Sequence, residues 1–260
     1  MLSLAFLKNT LRNRTRNTLL GRLVQQSRQK QVPRSLRIVS ATRLTEFEFW
    51  RASALGKSLK LWRSNPSISV TVQFENTEGL PHVYNQQFCA EKEADALLFV
   101  HDDIWIDDPE WLPKIMVALQ RFDIVGVAGN TRRSPRQPAW LFSKLESEQF
   151  VWDHPYLSGA VAHGQLPKGP VSVYGPAPAR CELIDGAFIA VRREFAQNGS
   201  VFFDERFDFH FYDLDFCRTA RRAGLSIGTW PISLTHQSDG AFGSPSWRAG
   251  YERYLNKWRR

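Results

Sequence analysis

The sequence predicts an α/β domain built on a mostly parallel sheet flanked by helices. Three observations carry this. Short apolar runs bounded by polar residues recur at residues 35–41, 68–74, 96–100 and 123–129, and runs of that length read as strands. Segments with helical spacing of apolar residues lie between them. At 260 residues the chain suits one large domain, or one domain with an appendage, and can bury a sizeable core. Eighteen Phe and nine Trp supply that core and leave rings for a cleft in which a ligand stacks.

The net charge of +8 is unevenly placed. Residues 1–37 hold nine Lys or Arg and no acid, which leaves −1 for everything after them. The basic balance therefore belongs to an N-terminal arm, residues 1–34, and the near-neutral body of residues 35–260 argues against nucleic acid as its partner. The arm sets Leu4, Leu7, Leu11 and Leu19 among Arg12, Arg14, Arg16 and Arg22. That composition suits a basic amphipathic helix in peripheral contact with an anionic membrane surface, a transit peptide, or a solvated tail. No apolar run approaches the length of a membrane span. The three cysteines, Cys89, Cys181 and Cys217, are odd in number with no C-x-x-C. They read as reduced, mostly buried thiols, and the expected location is cytoplasmic, with the arm resting on the inner face of a membrane.

Taken in order, S-L-R-I-V-S-A opens the sheet. Thr45 and Glu48 then form a capping box for a helix carrying Phe47, Trp50, Ala54, Leu55, Leu59 and Trp62. A second strand covers Ile68 to Phe74 and ends at Glu75 and Asn76. A helix begins after Gly79-Leu80-Pro81, and Asp95 leads into the buried run A-L-L-F-V. This is β-α-β-α-β with right-handed crossovers.

That run ends abruptly in His101, Asp102 and Asp103. Adjacent carboxylates past a buried strand repel each other and are both penalised by desolvation, which a divalent cation on their hard oxygens relieves. Ligands of open α/β sheets also bind outside the carboxyl ends of strands. Asp107 and Asp108 read differently: Asp108-Pro109-Glu110 has the form of a helix start. After that helix, D-I-V-G-V-A-G is another strand. Residues 130–180 have no clear period and read as a loop-rich insertion, a flap or small subdomain, whose Trp140, Trp152, His154 and Tyr156 suit a cleft lining. C-E-L-I-D-G-A-F-I-A-V is a strand interrupted by Asp185-Gly186, and an acid there needs a partner or a task. From Phe211 a helix runs to Arg222 and the cap Gly224, with Asp213 and Asp215 in its first turn, where the helix dipole favours their ionised forms. The two acids sit about 200° apart around that helix. A last strand covers Ser226 to Leu234 with His236 after it, and a basic helix closes the chain from Arg248.

Four stretches together resemble inverting, family-two-like glycosyltransferases of the GT-A fold, over residues 36–258. They are L-L-F-V-H-D-D-I-W-I, similar to the strand that ends in the family's D-x-D metal motif; I-D-G-A-F-I-A-V-R-R-E-F followed by F-D-E-R-F; F-Y-D-L-D-F-C-R-T-A-R-R-A-G-L, similar to the E-D-x-D-L helix start; and T-H-Q-S-D-G. The metal motif reads H-D-D here, and Tyr212 stands where the family has Glu, which leaves Asp213 as the match for the catalytic base. The resemblance implies transfer of a hexosyl or related sugar, in glycan biosynthesis, from a nucleotide-sugar donor to a hydroxyl of a glycan, lipid-linked or protein acceptor. It implies Mn²⁺ or Mg²⁺ bound by Asp103 with His236, and donor contacts from Glu75, Asn76, His101, Asp102 and Asp185. The catalytic pair is Asp213 and Asp215, with Asp213 as the base and Asp215 expected to bond the helix terminus or a neighbouring Arg. Two rival readings of the same acids are a metal-dependent phosphoesterase, for which a dense His/Asp cluster is missing, and a GT-A-like module that binds sugar nucleotides without chemistry.

Overall fold

The computed structural model describes residues 31–90, 94–197, 199, 201–238 and 240–259; the arm lies almost wholly outside them. The compact unit spans Pro33–Arg260. Among the described residues no helix is long and apolar enough to cross a membrane.

Strand β1 (Leu36–Ala41) is buried along its whole length. It pairs in parallel with β2 (Ile68–Gln73) on one side and β3 (Ala96–Val100) on the other. Between β1 and β2 the capping box forms as expected: Thr45 N–H donates to the Glu48 carboxylate at 2.9 Å, and Glu48 N–H to Thr45 Oγ1 at 3.3 Å. The single helix expected there is two. Helix α1 (Glu46–Ala52) stops because Ser53 turns extended, at φ −65° and ψ 150°. Ser53 Oγ then accepts from Gly56 N–H at 2.9 Å and starts α2 (Ala54–Leu59). A Cβ on Gly56 would lie 2.2 Å from the Phe49 carbonyl, so the break needs glycine there. The break matters to function, because Leu55 N–H now reaches the Asp102 carbonyl at 3.1 Å.

Helix α3 (Leu80–Cys89) leads to β3, and a short strand β4 (Ile104–Ile106) follows the charged turn. Helix α4 (Trp111–Arg121) begins two residues later than the Asp-Pro-Glu signal suggests. Asp108 still accepts from Glu110 N–H at 2.9 Å, but it also accepts from Lys114 Nζ at 2.6 Å and from Ser233 N–H at 3.2 Å.

The run D-I-V-G-V-A-G is not one strand. It forms β5 (Ile124–Gly126) and β6 (Ala128–Asn130), and the chain passes from one sheet to another between them. Residues expected as a flap form a hairpin of β7 (Phe142–Glu146) with β8 (Gln149–Trp152), then β9 (Leu157–His163) and β10 (Val171–Gly175). Asn130 Nδ2 ties this region together by donating to the Trp140 carbonyl and to Asp153 Oδ2, both at 2.9 Å, while Arg132 pairs with the buried Asp153. Short strands and single polar anchors leave no period to read.

Then come β11 (Ala179–Cys181), β12 (Leu183–Ile184), β13 (Phe188–Arg192), α5 (Arg193–Gln197) and α6 (Tyr212–Arg222). The expected last strand is again divided, into β14 (Ile227–Thr229) and β15 (Leu234–His236), and His236 is inside β15 rather than after it. Helix α7 (Pro245–Lys257) starts earlier than expected because Ser244 Oγ caps Trp247 N–H and Pro245 takes the first turn. The main sheet has the order β11-β14-β5-β13-β3-β1-β2. Antiparallel β13 is inserted between β3 and β5, and β11 runs antiparallel at one edge; the other strands run one way. A second, six-stranded sheet has the order β12-β6-β9-β15-β4, with β10 on β9. Cys181 and Cys217 are free and buried.

Helix α7 is fixed to α6 through Asp215, which is fully buried. Its carboxylate accepts from Lys257 Nζ and from Trp258 Nε1, each at 2.7 Å. Losing that carboxylate leaves the Trp258 indole N–H without its acceptor and Lys257 with Asp204 in place of two acids. Asp215→Ala should therefore destabilise the fold by about 3 kcal/mol, read as a lower midpoint in urea unfolding.

Candidate active site

The turn between β3 and β4 carries His101, Asp102 and Asp103. Strand β4 pairs antiparallel with β15, which sets His236 opposite Ile104. His236 Nε2 thereby comes to 3.3 Å from Asp103 Oδ2. His101, Asp103 and His236 each offer a ligand atom, all within 4.8 Å of one another. The donor set fits a cation in a further respect: Asp103 Oδ1 is buried and, among the described residues, has no hydrogen-bond partner, and a buried carboxylate oxygen of that kind calls for an ion or water. Burial works against the Asp103 carboxylate, but the hydrogen bond and charge of His236, with His101, outweigh it and hold the group below its ordinary range. Burial pushes the His101 imidazole down, towards the neutral form a ligand requires. His101, expected as a donor contact, is thus in the metal-competent group.

Asp102 faces the other way. Its Oδ2 accepts from Thr42 Oγ1 at 2.5 Å. Burial nevertheless raises its pKa, and Asp103 adds to the rise. Thr42 is the hub between strand ends, because its carbonyl also accepts from Asn76 N–H at 2.8 Å. Asn76 closes a small turn on Glu78 through Oδ1 and Nδ2, at 3.2 and 2.8 Å. Glu75 is exposed beside it with φ +48°. The carboxyl ends of β1, β2 and β3 are in this way one surface, carrying Glu75, Asn76 and Asp102. The Leu80 N–H bond to the Asp208 carbonyl, 2.8 Å, brings in the chain before α6. There Phe209, 51% exposed, stacks on His101 with centroids 5.6 Å apart. Nothing in the sequence pattern separates Phe209 from its aromatic neighbours.

Asp185 and Asp213 form the other wall. Asp185 is held at both oxygens: Oδ2 accepts from Trp140 Nε1 at 2.6 Å and Oδ1 from Ala187 N–H at 2.7 Å. The next residue must be glycine, since a Cβ there would lie 2.6 Å from the Tyr212 hydroxyl and 3.0 Å from Asp213 Cβ. Helix α6 starts from Phe211 in the left-handed region, φ +69°. That conformation is held by the stacking of its ring on Tyr251 and Tyr254 of α7. The expectation that the helix dipole keeps Asp213 ionised is overturned: burial, then the neighbouring Asp185, push its pKa up to about 7. Asp215, named with Asp213 from sequence, is not in the site at all, being committed to Lys257 and Trp258. Of the four aromatic residues expected in the cleft, Trp140 alone bonds a site acid. Trp152 and His154 stack on each other, and Tyr156 lies under the Arg132 guanidinium. Tyr212, noted from sequence only as a departure, bridges the two walls: its hydroxyl is 2.8 Å from the Gly186 carbonyl and 2.9 Å from His101 Nε2.

The sheet order and the acid–imidazole site at its carboxyl edge define an α/β protein with a candidate metal centre. Residues 67–239 match the model of the Glycosyltransferase like family, and the chain belongs to that family. Three solved structures are similar to this chain over most of its length. One is GalNAc-T7 with UDP, GalNAc and Mn²⁺, at 11% identity and a TM-score of 0.47, covering 85% of this chain and 47% of that one. Another is the mannosyltransferase PcManGT from Pyrobaculum calidifontis with GDP-Man and Mn²⁺, at 12% identity and 0.44, covering 88% and 65%. The third is A197 from STIV, at 9% and 0.43, covering 80% and 96%. The chain thus spans about half the length of GalNAc-T7. No curated protein matches the chain.

The raised pKa of Asp213 has a consequence for stability. With a folded value near 7 against an ordinary 3.8, the folded state holds the proton more tightly, so stability falls as pH rises from 3.8 towards 7. Asp213→Asn removes that loss. Its melting temperature should exceed the wild-type value at about pH 8, and the gap should close towards about pH 4, read by calorimetric melts across that range.

Proposed function

We propose that the chain transfers a sugar from a nucleotide-sugar donor to an acceptor hydroxyl by a metal-assisted inverting displacement. The observation that carries this reading is the meeting of two groups at one sheet edge. An acid–imidazole triad with an orphaned carboxylate oxygen lies on one wall, and a carboxylate with its pKa near 7 lies on the other. The first suits a diphosphate-bound cation, and the second suits a general base working at neutral pH.

In this reading Asp103, His236 and His101 would hold the cation, which when bound would supply positive charge against a leaving diphosphate. Two imidazoles beside one carboxylate favour Mn²⁺ over the harder Mg²⁺. Asn76, Glu75 and the Thr42–Asp102 pair meet the nucleoside. Asp185, immobilised by Trp140 and the Ala187 amide, faces the sugar. Asp213 accepts the proton of the acceptor hydroxyl while that oxygen attacks the anomeric carbon on the side opposite the diphosphate. The bond from carbon to the diphosphate oxygen breaks as the new one forms, and the configuration inverts. The acceptor is a hydroxyl of a glycan, a lipid-linked saccharide or a protein. The basic residues of the stretch 1–34 bind an anionic, cytoplasm-facing membrane surface.

Nucleotide sugars screened by thermal shift with Mn²⁺, followed by single-turnover transfer assays on the best donor, test this reading. Asp103→Ala should abolish metal-dependent binding of a nucleoside diphosphate while the melt stays cooperative. Asp213→Asn should keep donor and metal affinity and lose about 10² in turnover or more, and the wild-type rate should rise with pH through about 7. Donor consumed by water alone, equally well in both variants, would sink the proposal. For the arm, co-sedimentation with liposomes should need acidic lipid, weaken with salt, and be lost on deletion of residues 1–34.

A further inference from the structure

The Tyr212 hydroxyl joins the two walls of the site, and its proton count decides what His101 is free to do. A phenol has one proton to give and lone pairs to receive with, whereas a backbone carbonyl can only accept. Tyr212 donates to the Gly186 carbonyl at 2.8 Å. Its 2.9 Å contact with His101 must then run from the imidazole Nε2–H to the phenol oxygen. A neutral imidazole carries a single N–H, so its lone pair is on Nδ1. Among the described residues, Tyr212 is the only hydrogen-bond partner of the His101 ring.

We propose that Tyr212 is a positioning residue for the cation site, fixing His101 in its Nε2–H form so that the Nδ1 lone pair is reserved for the ion shared with Asp103 and His236. This rests on the metal-dependent reading above and deepens it. Histidine ligands commonly donate their second N–H to a carbonyl or carboxylate that orients the ring. Here a neutral phenol takes that role and passes the bond on to the turn that carries Asp185. An acid in its position would add a third negative charge beside Asp185 and Asp213, which already oppose each other. The nearby Tyr84 provides the control: it is buried, its ring is 5.9 Å from that of Tyr212, and among the described residues it makes no hydrogen bond to the His101 ring.

The test titrates Mn²⁺ alone, by calorimetry, into the full chain as wild type, Tyr212→Phe, Tyr84→Phe and Asp103→Ala. Alongside it, nitrogen-15 spectra of the metal-free wild type read the tautomer of His101. Tyr212→Phe should bind Mn²⁺ about 10- to 100-fold more weakly, Tyr84→Phe should bind like wild type, and His101 should carry its proton on Nε2. Wild-type affinity in Tyr212→Phe, with binding still abolished by Asp103→Ala, would overturn the role of Tyr212 and leave the metal reading standing. A proton on Nδ1 in the wild type would overturn it as well, whether or not Tyr212→Phe folds. A wild type that binds no Mn²⁺ would overturn the metal reading itself.

Discussion

Strand β3, five fully buried apolar residues, runs straight into an imidazole and two carboxylates, and the surrounding structure makes that junction tolerable. Each carboxylate has a separate remedy. Asp102 is turned towards Thr42 and accepts its hydroxyl. Asp103 is turned towards His236, with one oxygen left unpartnered among the described residues. The Ser53 break in the first helical segment serves the same end, because it lets Leu55 N–H satisfy the Asp102 carbonyl. Removing charge from water is costly unless it is paired and hydrogen-bonded, so these contacts are conditions for the turn to exist.

The second sheet exists, in energetic terms, to deliver partners to that turn. Strand β15 reaches β4 only because the chain leaves the main sheet after β14. Strand β9 then flanks β15 and pairs His163 with His236 in register. Residues 130–180 are therefore structural to the site. They also supply Trp140, whose indole N–H fixes Asp185.

The opposite wall shows desolvation competing with the helix dipole. Asp213 and Asp215 both sit in the first turn of α6, where the dipole favours charge. Burial raises both pKa values. Asp215 meets Lys257 and Trp258 and becomes a tether. Asp213 meets a second acid instead, and its proton affinity rises to about 7. One turn of helix thus divides two chemically identical groups between stability and chemistry.

What the sequence determined by itself were the features set by local chemistry. The run A-L-L-F-V could be nothing but a buried strand, Thr45 and Glu48 could only cap one another, and Gly224 ends α6 in the left-handed conformation it alone adopts freely. The acids at strand ends, and the match of four spaced stretches to glycosyltransferases, were legible for the same reason. Tertiary structure decided everything that depends on which distant atoms meet. It divided two apparent strands between sheets, at Val127 and between Thr229 and Leu234. It brought His101 into the metal-competent group, made Tyr212 the bridge between the walls, and gave Asp215 its partners Lys257 and Trp258. The reason is the same in each case: desolvation and pairing depend on neighbours that lie far off in the chain, and no local pattern encodes them.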